Sequence, residues 1–521
     1  MFRRWYLVLA ALVLAAVPAA ADIQPHALFS EGMVLQQGKR VPIWGTGGAG
    51  ETAVVEFQGK TWKVSDNPTK AGDWTVWLEN LQPGGPFPMT ISGYSGDKKL
   101  NTIELKEVYV GEVWVCSGQS NMEWPVRLSA DPEKTIANAR NPMLRLYTVP
   151  KKVSAKPTTD LVGTWKECTP ESVANFSAVG YFFGRDLQAA LKVPVGLIHT
   201  SWGGTPAEAW TSRAALEAEP KLKYLMENFD KGIADYPKLL EAHKAALEQH
   251  KGLVEKAKAE GKPAPPAPRA PVNPALHFQS PSVLYNGMLT CVMPYGIRGA
   301  IWYQGESNAG RAYEYRQLFP LMINNWRAAW HQGDFPFLFV QLAPFMAIQK
   351  EPGESTWAEL REAQLLTAKT LKHTGMAVIT DVGDERDIHP KWKEPVGARL
   401  ALAARGIAYG EPIVHSGPVF DSMKVEGNKA ILSFKHVGDG LVAKGGPLTG
   451  FTIAGEDRKF HNAEAEIVED KVVVSCPRVD KPVAVRFGWA NYPVVNLWNK
   501  NGLPASPFRT DDWPGLTQPK Q

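Results

Sequence analysis

Five near-continuous apolar runs, each closed by small or polar residues, set the strongest limit on how this chain can fold. They are EVYVGEVWVC (107–116), VPVGLIHT (193–200), IRGAIWYQ (297–304), FPFLFVQL (335–342) and GMAVITD (375–381). Amphipathic helical patterns occupy 176–192, 311–330, 357–371 and 396–409. A strand that is apolar at nearly every position must be covered on both faces, so this alternation predicts a parallel α/β sheet with helices on each side. Such sheets place their sites at the carboxyl ends of the strands.

The flanks read differently. Residues 22–105 carry short apolar runs such as RVPIWG, TAVVEF and DWTVWLENL, punctuated by Gly, Pro and Asn, which is β patterning. From 411 to 521 the character is the same: Val483, Val485, Phe487 and Trp489 alternate with polar or small residues. Two β-sandwich-like regions are therefore expected around an α/β domain at 106–410. Within that domain, 213–277 breaks the pattern. Leu239/Leu240, Ala246/Leu247 and Leu253/Val254 recur every seven residues in a Lys/Glu-rich stretch, and GKPAPPAPRAPVNP follows. This predicts a solvated helical arm and a stiff Pro-rich connector.

At the N-terminus, Arg3 and Arg4 precede an apolar run from Trp5 to Val17, and Ala19-Ala20-Ala21 supplies small residues for cleavage. The pattern is that of a secretory signal peptide over 1–21, too short for a membrane span, and it predicts a secreted or periplasmic protein. No later apolar run is long enough to span a bilayer. A formal net charge of +4 over 521 residues argues against a nucleic-acid footprint. Four cysteines, Cys116, Cys168, Cys291 and Cys476, are too few for a disulfide scaffold, though one bridge could form.

The strand ends hold the chemistry. The first ends in SGQSN with Ser120, and the second in HTSWGGTPAEAW with Gly203-Gly204. The third ends in IWYQGESNAG with Gln304, Glu306 and Asn308. The fifth ends in DVGDERDIHP with Asp381, Asp384, Asp387 and His389. Brought together, these supply a hydroxyl, a glycine backbone, a side-chain amide, an imidazole and a carboxylate, the parts that acyl transfer to water requires. Singly, each has a plainer reading. Ser120 could cap a helix, the glycines could form a turn, and Gln304 could satisfy backbone groups. The acidic loop could hold a metal, but no other His or Cys stands at ligand spacing beside it.

Met122 stands where the G-x-S-x-G elbow needs its second glycine. GQSN near the start of the sheet and Asp-x-His near its end instead resemble an SGNH hydrolase. The combination of CSGQSNMEWPV, SWGGTPAEAW, YNGML, IWYQGESNAG and DIHPKWKEPVGARLA, between about residues 25 and 510, resembles the sialate O-acetylesterase family of carbohydrate esterases. The resemblance implies a flavodoxin-like SGNH sheet, a Ser120 nucleophile and a His389 base, with no cofactor. It also implies oxyanion donors from the Ser120 N–H, the Gly203-Gly204 turn and an amide, Gln304 first and Asn308 second. The wider SGNH pattern places the acid three residues before the histidine, where this chain has Arg386. Asp387 is the nearest carboxylate and Asp384 stands behind it.

Trp124, Trp202, Trp210, Trp302 and Trp392 lie beside these motifs, and indole faces suit sugar rings as well as they suit a core. Trp124, Trp202 and Glu306 are the substrate-binding expectations. Together these features predict a secreted serine esterase that removes O-acetyl groups from a sialate or an acetylated plant glycan. The rivals are a non-catalytic carbohydrate-binding protein and a metal-dependent deacetylase built on 381–389.

Overall fold

The computed structural model describes residues 22–64, 73–159 and 161–519. The signal-peptide expectation for 1–21 lies outside them.

The central sheet is built from β1 (Lys98–Gly118), β2 (Asn141–Thr148), β3 (Lys166–Cys168), β4 (Val195–Ser201), β5 (Gly299–Tyr303), β6 (Phe337–Val340) and β7 (Thr374–Ala377). Their order is β3-β2-β4-β1-β5-β6-β7, and all pairings are parallel except β3 with β2. From β1 the chain goes first to β2 and β4 on one side, then crosses to β5, β6 and β7 on the other. The topological switch therefore lies at the carboxyl end of β1, with Ser201 of β4 and Tyr303 of β5 both in register with Gly118.

Period-two alternation sends strand residues to opposite faces. Trp114, Cys116, Leu197, Ile301 and Leu338 pack against α2 (Ala178–Leu191) and α6 (Glu394–Ile407). Val113, Val115, Ile198, Trp302 and Phe337 face the other way, where α4 (Ala312–Trp330) and α5 (Thr356–Thr370) supply Phe319, Met322, Trp326, Trp357 and Leu360. Trp210 and Trp302, singled out beside the motifs, are fully buried in this second core, so they build the fold and do not meet substrate. The mixed α/β sheet with helices on both faces matches the expectation.

Strand β1 crosses residue 105 without a break. Its first half pairs antiparallel with Gly84–Ser95, and Val34–Gln36 lies parallel beside Tyr109–Gly111. The N-terminal β region is thus hydrogen-bonded to the central sheet along a shared strand. Beyond α6 the chain forms antiparallel sheets around Leu432, Phe451, Val472, Val485 and Phe508. All four cysteines are free and buried.

The arm begins with α3 (Tyr224–Ala259), 36 residues long and buried at its root by Met226 and Phe229. The Pro-rich segment returns beside it, with Pro265 O bonded to His250 Nε2 at 2.9 Å. This return delivers Phe278 and Gln279 to the edge of the switch point: Phe278 stacks on Trp202, and Gln279 Nε2 donates to Gly204 O at 2.6 Å.

Arg361 on α5 joins the C-terminal region to the sheet. It is fully buried and donates to the carbonyls of Leu342, Ala343, Ala490 and Asn491 at 2.7–3.0 Å. Burial pushes its guanidinium down to about 9. Arg361→Met would strand four carbonyls, each costing roughly 1–3 kcal/mol when unsatisfied, against the relief of removing a buried charge. The expected outcome is a loss of about 3 kcal/mol or more, read as a lower midpoint in thermal unfolding followed by circular dichroism.

Candidate active site

Ser120 opens α1 (Ser120–Glu123) directly after β1, with Gln119 as the extended N-cap. The turn out of the strand needs Gly118: at φ +140°, a side chain there would place Cβ 2.2 Å from the Tyr303 carbonyl oxygen. As the first residue of its helix, Ser120 has no intrahelical acceptor for its N–H, so that donor points out of the helix beside its own hydroxyl.

Loop 378–393 brings the imidazole over the hydroxyl. Ser120 Oγ lies 2.9 Å from His389 Nε2, and His389 Nδ1 lies 3.2 Å from Asp387 Oδ1. The same Asp387 oxygen accepts the His389 backbone N–H at 2.9 Å, which fixes the carboxylate relative to the ring. Trp124 stacks on the imidazole, centroids 4.9 Å apart and planes 18° from parallel. Burial, then the nearby Lys393 ammonium, lower the His389 pKa, and Asp387 only partly offsets them. His389 is therefore held neutral, the form that accepts a proton from serine.

The other loop carboxylates are engaged elsewhere. Asp384 Oδ1 accepts the N–H groups of Arg386 at 2.8 Å and Asp387 at 3.1 Å, and those bonds lower its pKa. Asp381 is paired bidentately with Arg399 at 2.6 and 2.8 Å. Each staples the loop, and Asp387 is the carboxylate that meets His389. Among the described residues no group of three or more His, Cys, Asp or Glu has an arrangement that could hold a metal ion.

Several oxyanion and substrate expectations change. Gln304 is fully buried: its amide donates to Asn308 Oδ1 at 2.7 Å and Thr205 O at 3.2 Å, and its oxygen accepts Tyr315 Oη–H at 2.8 Å. Asn308 donates to Glu208 at 2.9 Å and accepts Ala207 N–H at 2.9 Å. Both amides hold the 205–208 segment behind the Gly203-Gly204 turn, and neither lines the cavity. The Gly203 N–H donates to Glu123 Oε2 at 2.6 Å, so it is occupied by a carboxylate. A Cβ on Gly203 would sit 3.1 Å from Ser120 Cβ, so glycine keeps this turn pressed against Ser120. Gly204, at φ +74°, contributes its carbonyl to Gln279. Of the expected oxyanion donors, the Ser120 N–H at the start of α1 is the one with no intrahelical acceptor. Glu306 bonds Asn121 behind the site and does not reach the cavity. Trp202, between Phe278 and Lys151, forms rim structure outside the cavity wall.

The cavity above Ser120 has a volume of about 530 Å³, and its walls include Trp124, Arg127, Lys151, His199 and His389. Sequence reasoning missed His199, whose Nε2 lies 2.6 Å from Ser201 Oγ and whose buried Nδ1 has no partner. Its signal was present: a histidine inside the otherwise buried β4 run. Burial pushes its pKa down to about 4. Lys151, bonded to Glu123 at 2.5 Å, lay in a segment with no motif.

Comparison with known proteins decides the family. The rat (Rattus norvegicus) sialate O-acetylesterase is 30% identical over 447 residues, 78% of this chain and 77% of that protein. This chain belongs to the sialate O-acetylesterase family of carbohydrate esterases. The human (Homo sapiens) sialate O-acetylesterase is 29% identical over 519 residues, covering 91% of this chain and 90% of its own. Residues 275–404 match the family described as carbohydrate esterase, sialic acid-specific acetylesterase. In structure, the chain is similar to a carbohydrate acetylesterase from Xanthomonas citri, with a TM-score of 0.79 and 38% identity, covering 94% of this chain and all of that one. The esterase family membership makes this protein a carboxylic ester hydrolase.

Proposed function

We propose that this esterase is an exported enzyme that removes O-acetyl groups from a carbohydrate through Ser120, His389 and Asp387. The observation that carries this reading is the unbroken line from Ser120 Oγ through the His389 ring to Asp387, with contacts of 2.9 and 3.2 Å. Ser120 Oγ attacks the acetyl carbonyl while His389 Nε2 takes its proton, and Asp387 stabilises the imidazolium. The Ser120 N–H faces the oxygen that gains charge. Collapse releases the sugar hydroxyl, which takes the proton back from His389. Water, deprotonated by the same imidazole, then cleaves the acetyl-enzyme to acetate and restores Ser120.

The N-terminal Arg-Arg, apolar run and alanine triplet support export, and the flanking β regions are read as sandwich-like supports for the sheet. A sialate 9-O-acetyl ester or an acetylated plant glycan suits the open, partly apolar cavity, whose polar wall includes Arg127 and the Lys151–Glu123 pair. The test is acetate release from O-acetylated sialic acid, xylan and xyloglucan. Release from at least one is expected, whereas glycan binding without acetate release would leave a non-catalytic binding protein. EDTA should leave the rate unchanged in the same assay, because the 381–387 carboxylates are already engaged by Arg399, backbone amides and His389. Strong inhibition reversed by zinc or calcium would overturn the serine mechanism.

A further inference from the structure

Behind the Ser120–His389 pair lies a buried group of charges that the steps above do not use. Lys393, 1% exposed, donates from Nζ to Asn121 Oδ1. Asn121 is itself fully buried and donates from Nδ2 to Glu306 Oε1 at 2.6 Å and to the Ile388 carbonyl at 3.1 Å. That carbonyl belongs to the peptide that joins Ile388 to His389. The Lys393 ammonium also lies 5.7 Å from the centroid of Trp124, the ring stacked on His389, and 5.5 Å from that of Tyr303. It therefore approaches the catalytic base along two routes, one through the backbone and one through the indole.

We propose that Lys393 is a positioning residue for ester hydrolysis: through Asn121 it clamps the backbone at Ile388, and its side-chain nitrogen sits against the indole that stacks on His389. This rests on the Ser120–His389 reading given above. The arrangement is a poor device for stability alone. A buried ion pair offsets its desolvation only when charges meet directly and all their hydrogen bonds are made. Here Asn121 stands between Lys393 and Glu306, and Glu306 Oε2 is buried without a partner.

The groups facing Lys393 are Glu306 and Tyr303 from β5 and the turn after it, Asn121 and Trp124 from α1 and its cap, and Asp387 and His389 from the preceding loop. Burial pushes Lys393 down to about 7, opposed by Glu306 and Asp387, while burial pushes the Glu306 carboxyl up. The sign of the effect on His389 follows from Coulomb's law. A positive neighbour disfavours the imidazolium and lowers the pKa, so removing it raises the pKa and moves the acid limb of kcat/KM to higher pH.

The experiment compares pH–rate profiles for a chromogenic acetyl ester between the parent enzyme, Lys393→Gln and Lys393→Met, each checked for folding by circular dichroism. Both variants should move the acid limb up by about half a pH unit or more. Lys393→Gln retains an amide donor for Asn121 and should keep most of kcat. Lys393→Met loses the clamp as well, and kcat should fall about tenfold with KM little changed. Folded variants with the parent's acid limb would overturn the proposal, as would a loss confined to KM. Should Lys393→Met fail to fold, the limb of Lys393→Gln decides alone: a shift supports the proposal and no shift overturns it. Ser120→Ala and His389→Ala run in parallel. Activity in either would defeat the underlying serine reading, whatever Lys393 does.

Discussion

Ser120→Ala should fold normally and lose nearly all esterase activity, a fall of about 10⁶ in kcat, the scale seen when a triad nucleophile is removed. The hydroxyl's protein hydrogen bond is to His389, and alanine keeps the Cβ that packs against Gly203, so stability should change little. The cavity also contains a second serine–imidazole pair, Ser201 with His199 at 2.6 Å, and geometry alone would not choose between them. The environment of each imidazole does. His389 has Asp387 on its other nitrogen to stabilise the cation formed during attack. The Nδ1 of His199 is buried with no partner, and burial pushes that ring's pKa down to about 4, so forming its cation is costly. Ser201→Ala should therefore keep turnover within about tenfold of the parent, since it removes no group that meets the developing charge. Steady-state kinetics on a chromogenic acetyl ester compares both variants.

Asp387→Asn should have the second largest effect. Neutralising a buried triad acid costs roughly 10⁴ in kcat, largely through the wrong imidazole tautomer. Asp387 differs in two respects: its side chain is 45% exposed, and its bond to Nδ1 is 3.2 Å long. Solvent screens part of its charge, and the His389 backbone N–H on the same oxygen helps hold the side-chain orientation. The expected fall is about 10²–10³ in kcat, with KM near the parent value. Asp384→Asn should do less directly, because its oxygen still accepts the Arg386 and Asp387 amides. Kinetics with a circular dichroism check separates the roles. A crippled, folded Asp384→Asn beside a nearly normal Asp387→Asn would reverse the assignment.

The sheet was legible where its strands are apolar throughout, because an unbroken run with small residues at its end has few other uses. Strand β2 was missed for the converse reason. Arg145 interrupts Leu144 and Leu146, yet it is buried, stacked over Tyr109 at 4.3 Å and bonded to that residue's hydroxyl. A tertiary partner made an interior position of a residue type that reads as surface. The same limit applied at the site. Asp387 and His389 stand two residues apart, so their contact was legible locally; Ser120 meets His389 across 269 residues, and that meeting was legible because both follow strands of one parallel sheet at its carboxyl edge. Gln304, Asn308 and Glu306 have the right chemistry for the cavity but point to partners distant in sequence, Thr205, Glu208 and Asn121 among them. No local pattern distinguishes an amide that faces substrate from one that holds the adjoining loop. Lys393 shows the limit most clearly. In HPKWKE it looks like a solvated lysine at a helix start, and its burial depends on Asn121 and Glu306 arriving from two other strand ends.

Acyl transfer through Ser120 requires its Oγ to become the ester oxygen of the acyl-enzyme. Its most direct test is to treat the enzyme with a phosphorylating serine-hydrolase inhibitor and map the adduct by peptide mass spectrometry. One modified residue is expected, Ser120 in the GQSNM peptide, with activity lost in proportion to labelling and no adduct in His389→Ala. An adduct on Ser201 or Ser117, or full activity after stoichiometric labelling of Ser120, would contradict it.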